Sequence, residues 1–278
     1  MAQTSKRKTA ICRPHDLPDY GNPPLIEVVI DLQFAAIPNF HQIHAADIWN
    51  LYKNKFPKIE EHPPLSPNFE AFGSPRTPQF GFDLSKGPMQ TRYWFLTNKG
   101  DELIQFQNNR FIRNWRKFVG DSIVYPRFDV LASRFQNEFS ALENFVRKAY
   151  SHEIAINQCE VKYLNHIKNE KEGFIRLEDY LRFANFGDFE LDDFIVKFRR
   201  TIRTADGSPI LRLICESGVV ITSDGSSAVK LEITARGAPN GSTFDAALDL
   251  CARARKEIVN LFTEITTETA HKIWRRIK

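Results

Sequence analysis

FQNNRFIRNWRKFVGDSIVYPRF, residues 106–128, is where aromatic, arginine and asparagine side chains crowd most closely, and its reading decides the fold. Arg110–Arg116 has the composition of a strand, Gly120–Ser122 that of a turn, and Tyr125-Pro126 stiffens the approach to a long amphipathic stretch. From Leu131 onward, Phe135, Phe139, Leu142, Val146 and Ala149 recur at steps of three and four. That spacing predicts a helix of about twenty residues with one core-facing stripe.

Upstream, Thr91–Thr97, the turn Asn98-Lys99-Gly100-Asp101 and Glu102–Asn108 precede this strand, and pairing them in sequence makes a three-stranded antiparallel meander. The stretch Pro63–Pro88 holds six prolines, each lacking a ladder donor, so it reads as loop with at most an edge strand at Gln79–Leu84. A helix is expected over about His44–Lys55, ended by Pro57. At the start, Ile26, Val28, Ile30, Leu32 and Phe34 alternate with Glu27, Asp31 and Gln33, the pattern of a half-buried strand.

Downstream the order repeats. Cys159–Ile167 reads as a strand and Leu177–Ala184 as a short helix. Phe189–Thr204, Pro209–Ser217 (extended by Gly218–Thr222) and Ala228–Arg236 read as strands turned at Asp206-Gly207 and Asp224-Gly225. A last helix comes after Asn240-Gly241-Ser242, carries Phe244, Leu248, Cys251, Ile258, Phe262 and Ile265, and breaks at Thr266-Thr267 before a basic tail helix. The fold class is therefore α+β: two similar units of strand, helix, antiparallel meander and helix, read as a duplication with an approximate twofold. Residues 1–21 read as a basic flexible tail, 22–152 as the N-terminal unit and 153–278 as the C-terminal unit with its long terminal helix.

A chain of 278 residues with a net charge of +4 can bury a sizeable core, and its charge is milder than that of a dedicated DNA-binding domain. Cys12, Cys159, Cys215 and Cys251 are scattered, which fits reduced thiols. No apolar run succeeds the basic N-terminus and none reaches membrane-spanning length, so a cytoplasmic protein without a membrane partner is expected.

The marked motifs of nucleotide and hydrolase sites (GxGxxG, GxxxxGK, GxSxG, HExxH) are absent. His41-x-x-His44 lacks further ligands at a zinc spacing apart from Asp47, and is expected to cap a helix or lie on the surface. Glu160-Val-Lys162 lacks the upstream acid of a metal-dependent nuclease. Asp188, Glu190, Asp192 and Asp193 offer oxygen ligands for Mg²⁺ but read equally as an exposed acidic strand entry. Basic residues interleaved with aromatics at Arg110–Arg116, and at Lys197, Arg199, Arg200 and Arg203, have a composition that suits single-stranded nucleic acid, against the alternative of exposed strand faces. No catalytic residue, no metal ligand and no cofactor is assigned.

Asn22-Pro23-Pro24-Leu25-Ile26-Glu27, Asn114-Trp115-Arg116, Tyr125-Pro126-Arg127-Phe128 and Lys162-Tyr163-Leu164-Asn165, in that order, resemble a sporadically distributed bacterial family without an established activity. The resemblance covers nearly the whole chain after residue 21. It implies a prokaryotic, cytoplasmic, accessory role of the kind found among mobile or antiviral-defence genes, and it carries over no catalytic residue.

Alternation sends several polar residues toward apolar faces: Asn165 with Tyr163, Arg200 with Phe198, and either Arg113 or Asn114 whichever face of Arg110–Arg116 is buried. A buried guanidinium requires a partner. Such residues either pair internally or converge on a polar cavity between the halves, where Arg113, Asn114, Asn165 and Arg200 would hold an anionic or amide-bearing ligand. The expected function is a non-enzymatic binding or regulatory protein that recognises a partner protein or small ligand in a defence or mobile-element setting, with the oligomeric state left open. Nucleic-acid binding and a metal-dependent hydrolase using the Asp192 region are the alternatives.

Overall fold

A computed structural model describes residues 16–73, 91–118, 123–168, 176–187 and 193–278. The first half runs β1 (Leu25–Phe34), a 3-10 turn (Gln42–His44), α1 (Ala45–Asn50), β2 (Lys58–His62), β3 (Arg92–Leu96), β4 (Glu102–Gln107), β5 (Arg110–Arg116) and α2 (Phe128–Tyr150). The second runs β6 (Ile156–Ile167), a 3-10 turn (Leu177–Asp179), β7 (Ile195–Arg203), β8 (Pro209–Ile221), β9 (Ser227–Gly237), α3 (Phe244–Ile265) and α4 (Glu268–Ile273).

These strands form one antiparallel sheet in the order β2-β3-β4-β5-β1-β6-β9-β8-β7. In each half the first strand pairs with the last strand of its own meander, β1 with β5 and β6 with β9. β1 and β6 then pair with each other, so the sheet runs unbroken across the boundary between the two halves. Val28, Ile30 and Leu32 share one face with Trp115, Arg113 and Phe111 of β5 and with Tyr163, Val161 and Cys159 of β6. The two long helices cover this face. Phe139 of α2 meets Phe34, Phe111 and, across the midline, Phe244 of α3 at 4.5 Å between ring centroids.

Several expectations change. The first helix is cut to Ala45–Asn50, and residues 51–55 are turn, held where Trp49 Nε1 donates to Phe56 O and Tyr52 OH to Glu138 O. Leu177–Ala184 yields only a single 3-10 turn, because its backbone is spent on the link between α3 and α4: Leu181 bridges Thr266 and Arg182 N donates to Ile265 O. Lys58–His62, not read as a strand, forms one edge of the sheet, and Gln79–Leu84 falls outside the described residues. Residues 16–21, read as the end of a flexible tail, are docked: Leu17 and Tyr20 are buried, and Tyr20 packs edge-on against Phe262 and Trp274. The break at Thr266-Thr267 is present, with Thr267 capping α4 through Ala270 N. Among the described residues no helix is long and apolar enough to cross a membrane.

The other face of the sheet is polar, and Pro63–Phe72 crosses it. Beneath this crossing, Asp31 of β1 is buried with Oδ2 3.3 Å from Arg110 Nη1, while Glu160 sits opposite it on β6. Burial raises the Asp31 carboxyl to about 7, with repulsion from Glu160 adding to it and Arg110 and Arg236 opposing. A folded state that holds this proton while the unfolded chain releases it loses stability as pH rises from about 4 to about 7. Asp31→Asn should remove that slope. Urea denaturation is expected to show the variant gaining on the parent chain steadily between pH 5 and pH 7.5, and a gap independent of pH would refute the assignment.

Candidate functional site

Midway along the helix-covered face, where the two halves meet, lies a small pocket open to solvent, with a cavity volume of about 60 Å³. Its floor is sheet: Leu25 of β1, Tyr163 and Asn165 of β6, and Ile233 of β9. One wall is α3, with Arg255, Ile258, Val259 and Phe262. The other is the entry to α2, with Tyr125, Arg127 and Phe128, and Leu17–Tyr20 forms the rim. A mostly apolar lining with a few converging polar groups is what small-ligand sites have in common.

Arg255 is the strongest of those groups. It is 4 % exposed, its guanidinium lies 5.4 Å over the Phe128 ring, and Nη1 is 3.1 Å from Asp129 Oδ1 in the first turn of α2. Tyr125 OH and Tyr163 OH are 3.0 Å apart. Burial pushes both phenols up, well up for Tyr125, so they stay neutral and offer O–H groups. The Asn165 side chain donates Nδ2 to Leu231 O at 3.1 Å and makes no other hydrogen bond among the described residues. Arg127, which caps α2, has φ 77 and ψ 151, a conformation almost confined to glycine. Its side chain pairs with Asp19 at 2.8 Å. Strain of about 1–3 kcal/mol at a non-glycine residue is characteristic of binding and catalytic sites.

The four residues expected to converge do not. Asn165 is buried and lines the pocket. Arg113 is buried on the same face but among β4, β5 and α2, where Glu102 and Glu138 (2.9 Å) flank it and Phe56 lies beneath. Burial pushes both carboxyls up; around Glu102 the Arg113 charge and hydrogen bond and Lys55 overcome it and hold that group down to about 2, whereas Glu138 stays raised. Asn114 is on the opposite face, accepting from Gln105 and donating to Glu27, both at 2.8 Å. Arg200 corrects the expectation outright. It stands on the helix-covered face, opposite Leu213, yet is exposed and pairs with Glu264 of α3 at 3.1 Å. β7 is the last strand of the sheet, so alternation selects its face without deciding its cover: Ile202 on that face is buried while Arg200 is not.

The other constellations resolve as structure. His41 N donates to His44 Nδ1, which also meets Tyr150 OH at 2.9 Å, so the pair caps the turn before α1. Glu160 pairs with Arg236 and Lys162 with Glu232. Asp188, Glu190 and Asp192 lie outside the described residues, Asp193 accepts from Phe194 N, and among the described residues no three His, Cys, Asp or Glu side chains group to hold a metal. Arg255, Tyr125 and Tyr163 were missed. The signal for Arg255 is its place in the ladder Cys251, Arg255, Ile258, Phe262, a charge standing on an apolar stripe.

Removing the charge from Arg113 leaves Glu102 and Glu138 with only the more exposed Lys55 and Arg134 as counter-charges, so Arg113→Met should cost about 3–5 kcal/mol in denaturant unfolding. Arg200→Met loses only an exposed ion pair and should change stability by less than about 0.5 kcal/mol. Equal costs would contradict the placement of the two arginines.

No protein-family model, curated protein or solved structure matches the chain.

Proposed function

We propose that this chain is a non-enzymatic binding protein whose central pocket takes a small ligand with an anionic or amide head and an apolar body, and that occupancy regulates a partner protein. The observation that carries this reading is Arg255, a buried guanidinium tied by a partly exposed aspartate and lining an otherwise apolar pocket beside two neutral phenols. A guanidinium has five donors, more than Asp129 can satisfy, and a carboxylate or sulfonate entering the pocket would be met by the remainder and by the phenols. Ile233, Ile258, Val259 and Phe262 would bury the body of the ligand. Asn165 stays in the proposed set, and Arg255, Tyr125 and Tyr163 take the places of Arg113, Asn114 and Arg200.

The strand orders β3-β4-β5-β1 and β7-β8-β9-β6 support the further reading that the halves are duplicated α+β units, with the pocket at their junction. The bacterial, cytoplasmic, defence-associated setting belongs to the same proposal and rests on the family resemblance. Nucleic-acid binding is less favoured. Arg110, Lys197 and Arg200, which suggested it, are paired with Asp31, Glu216 and Glu264.

Anilinonaphthalene sulfonate, an aromatic anion that fluoresces when desolvated, tests the pocket directly. The chain should bind it saturably at a single site. Arg255→Met and Asn165→Leu should weaken that binding at least about tenfold, as expected for loss of a charge-assisted hydrogen bond, with circular dichroism unchanged. Undiminished binding to a folded Arg255→Met protein would overturn the assignment.

A further inference from the structure

Pro63–Phe72 (PPLSPNFEAF) lies on the polar face of the sheet as a bound peptide would lie, and among the described residues side chains of the strands beneath it hold it. Leu65 exchanges two hydrogen bonds with the Gln107 amide on β4, at 2.8 and 3.0 Å. Asn68 N donates to Gln33 Oε1 on β1 at 2.8 Å, and Glu70 N to Gln158 Oε1 on β6 at 3.2 Å. The glutamines thus form a comb that reads backbone rather than side chain. From β4 to β6 is three strand spacings, about 14 Å, and the five steps from Leu65 to Glu70 span about 16 Å when extended. The segment therefore runs extended and square to the strands.

One side chain of the segment is gripped. The Glu70 carboxylate is 3.0 Å from Arg212 Nε on β8 and 3.9 Å from Arg236 Nη1 on β9, and its side chain is 6 % exposed. The rest sits shallowly, with Phe69 51 % exposed. Beneath it, Asp31 Oδ1, Arg110 Nε and Gln158 Nε2 are buried with no hydrogen-bond partner among the described residues. All three residues are more than nine-tenths buried, and although Ser66 O accepts from Arg110 Nη2 at 3.3 Å and Glu70 N donates to Gln158 Oε1, the crossing segment leaves these three atoms unsatisfied.

We propose that this face is a binding groove for an extended acidic peptide of a partner protein, and that Pro63–Phe72 is a resident substitute which such a peptide displaces. The comb supplies sequence-tolerant backbone recognition, Arg212 and Arg236 select one carboxylate, and the unsatisfied atoms leave hydrogen bonds for a better-fitting occupant to make. Prolines at 63, 64 and 67 keep the resident segment extended without a sheet ladder. The groove is on the opposite face from the central pocket and does not depend on how that pocket is read.

A tethered occupant competes at an effective concentration on the order of millimolar, so a free peptide should bind the unmodified chain poorly. The probe is a fluorescein-labelled peptide of residues 63–72, titrated by anisotropy into the full chain and into Glu70→Lys, whose lysine faces Arg212 and Arg236. The variant should bind at least about tenfold more tightly than the unmodified chain, and a peptide with lysine at the Glu70 position should bind neither. Equal affinity for both chains, or no binding to a folded Glu70→Lys protein, would overturn the proposal. Should the variant fail to fold, hydrogen exchange on the unmodified chain decides: the amides of Leu65, Asn68 and Glu70 should exchange at least about a hundredfold faster than those of β1. Protection equal to β1 would make the segment permanent structure and end the proposal, as would exchange of segments between two copies in a stable dimer.

Discussion

Pairing between β1 and β6 sets everything else in the molecule. Ile30 faces Arg113 on one neighbour and Val161 on the other, and the next residue, Asp31, faces Ile112 and Glu160. A slip of one residue would carry Glu27 and Asp31 under Phe135 and Phe139 and put Val28, Ile30 and Leu32 on the polar side, so the register is enforced by the apolar face. Irregularities at Leu25/Glu27 and Gln33/Phe34 bound this register. The first has a direct consequence. The extra residue, Ile26, reverses the alternation, so that Leu25 turns in toward the floor of the pocket while Glu27 remains on the polar face.

Strand positions were legible because period-two alternation is a strong signal, and β5 fell where its composition placed it, at Arg110–Arg116. That Arg113 would be buried and need carboxylates also came from its neighbours Phe111 and Trp115, although nothing local identified Glu102 and Glu138 as its partners. Arg200 shows the limit of the same logic: alternation reports a face, and whether that face is covered depends on how far α3 reaches across the sheet. The turn at 177–179 was misjudged for a related reason. Its helical spacing was real, but Arg182 and Leu181 found partners in Ile265 and Thr266, far along the chain.

The glutamine comb was beyond sequence reading altogether. Gln33, Gln107 and Gln158 occupy polar positions on strands where solvent is the ordinary expectation, and nothing in their spacing says that another segment lies across them. Arg255 was legible in principle. An arginine at a step of four from Cys251 and three from Ile258 can persist on an apolar stripe only with a partner, and Asp129 supplies it from the other half of the chain.

The two candidate sites share strands but no side chains. β6 sends Tyr163 and Asn165 to the pocket and Gln158 and Glu160 to the groove, and β1 sends Leu25 to one and Gln33 to the other. Ligands on opposite faces of one sheet influence each other only if each favours a different arrangement of the strands between them. Here those strands are the central pair of a nine-stranded sheet, with Val28, Ile30, Leu32, Cys159 and Val161 packed beneath the helices, and their register cannot shift without exposing that layer. The parts outside that layer are peripheral: the Leu17–Tyr20 rim and Arg127 at the pocket, and Pro63–Phe72 at the groove. Neither set touches the other, so the geometry favours two independently occupied surfaces on a rigid sheet over a single coupled switch.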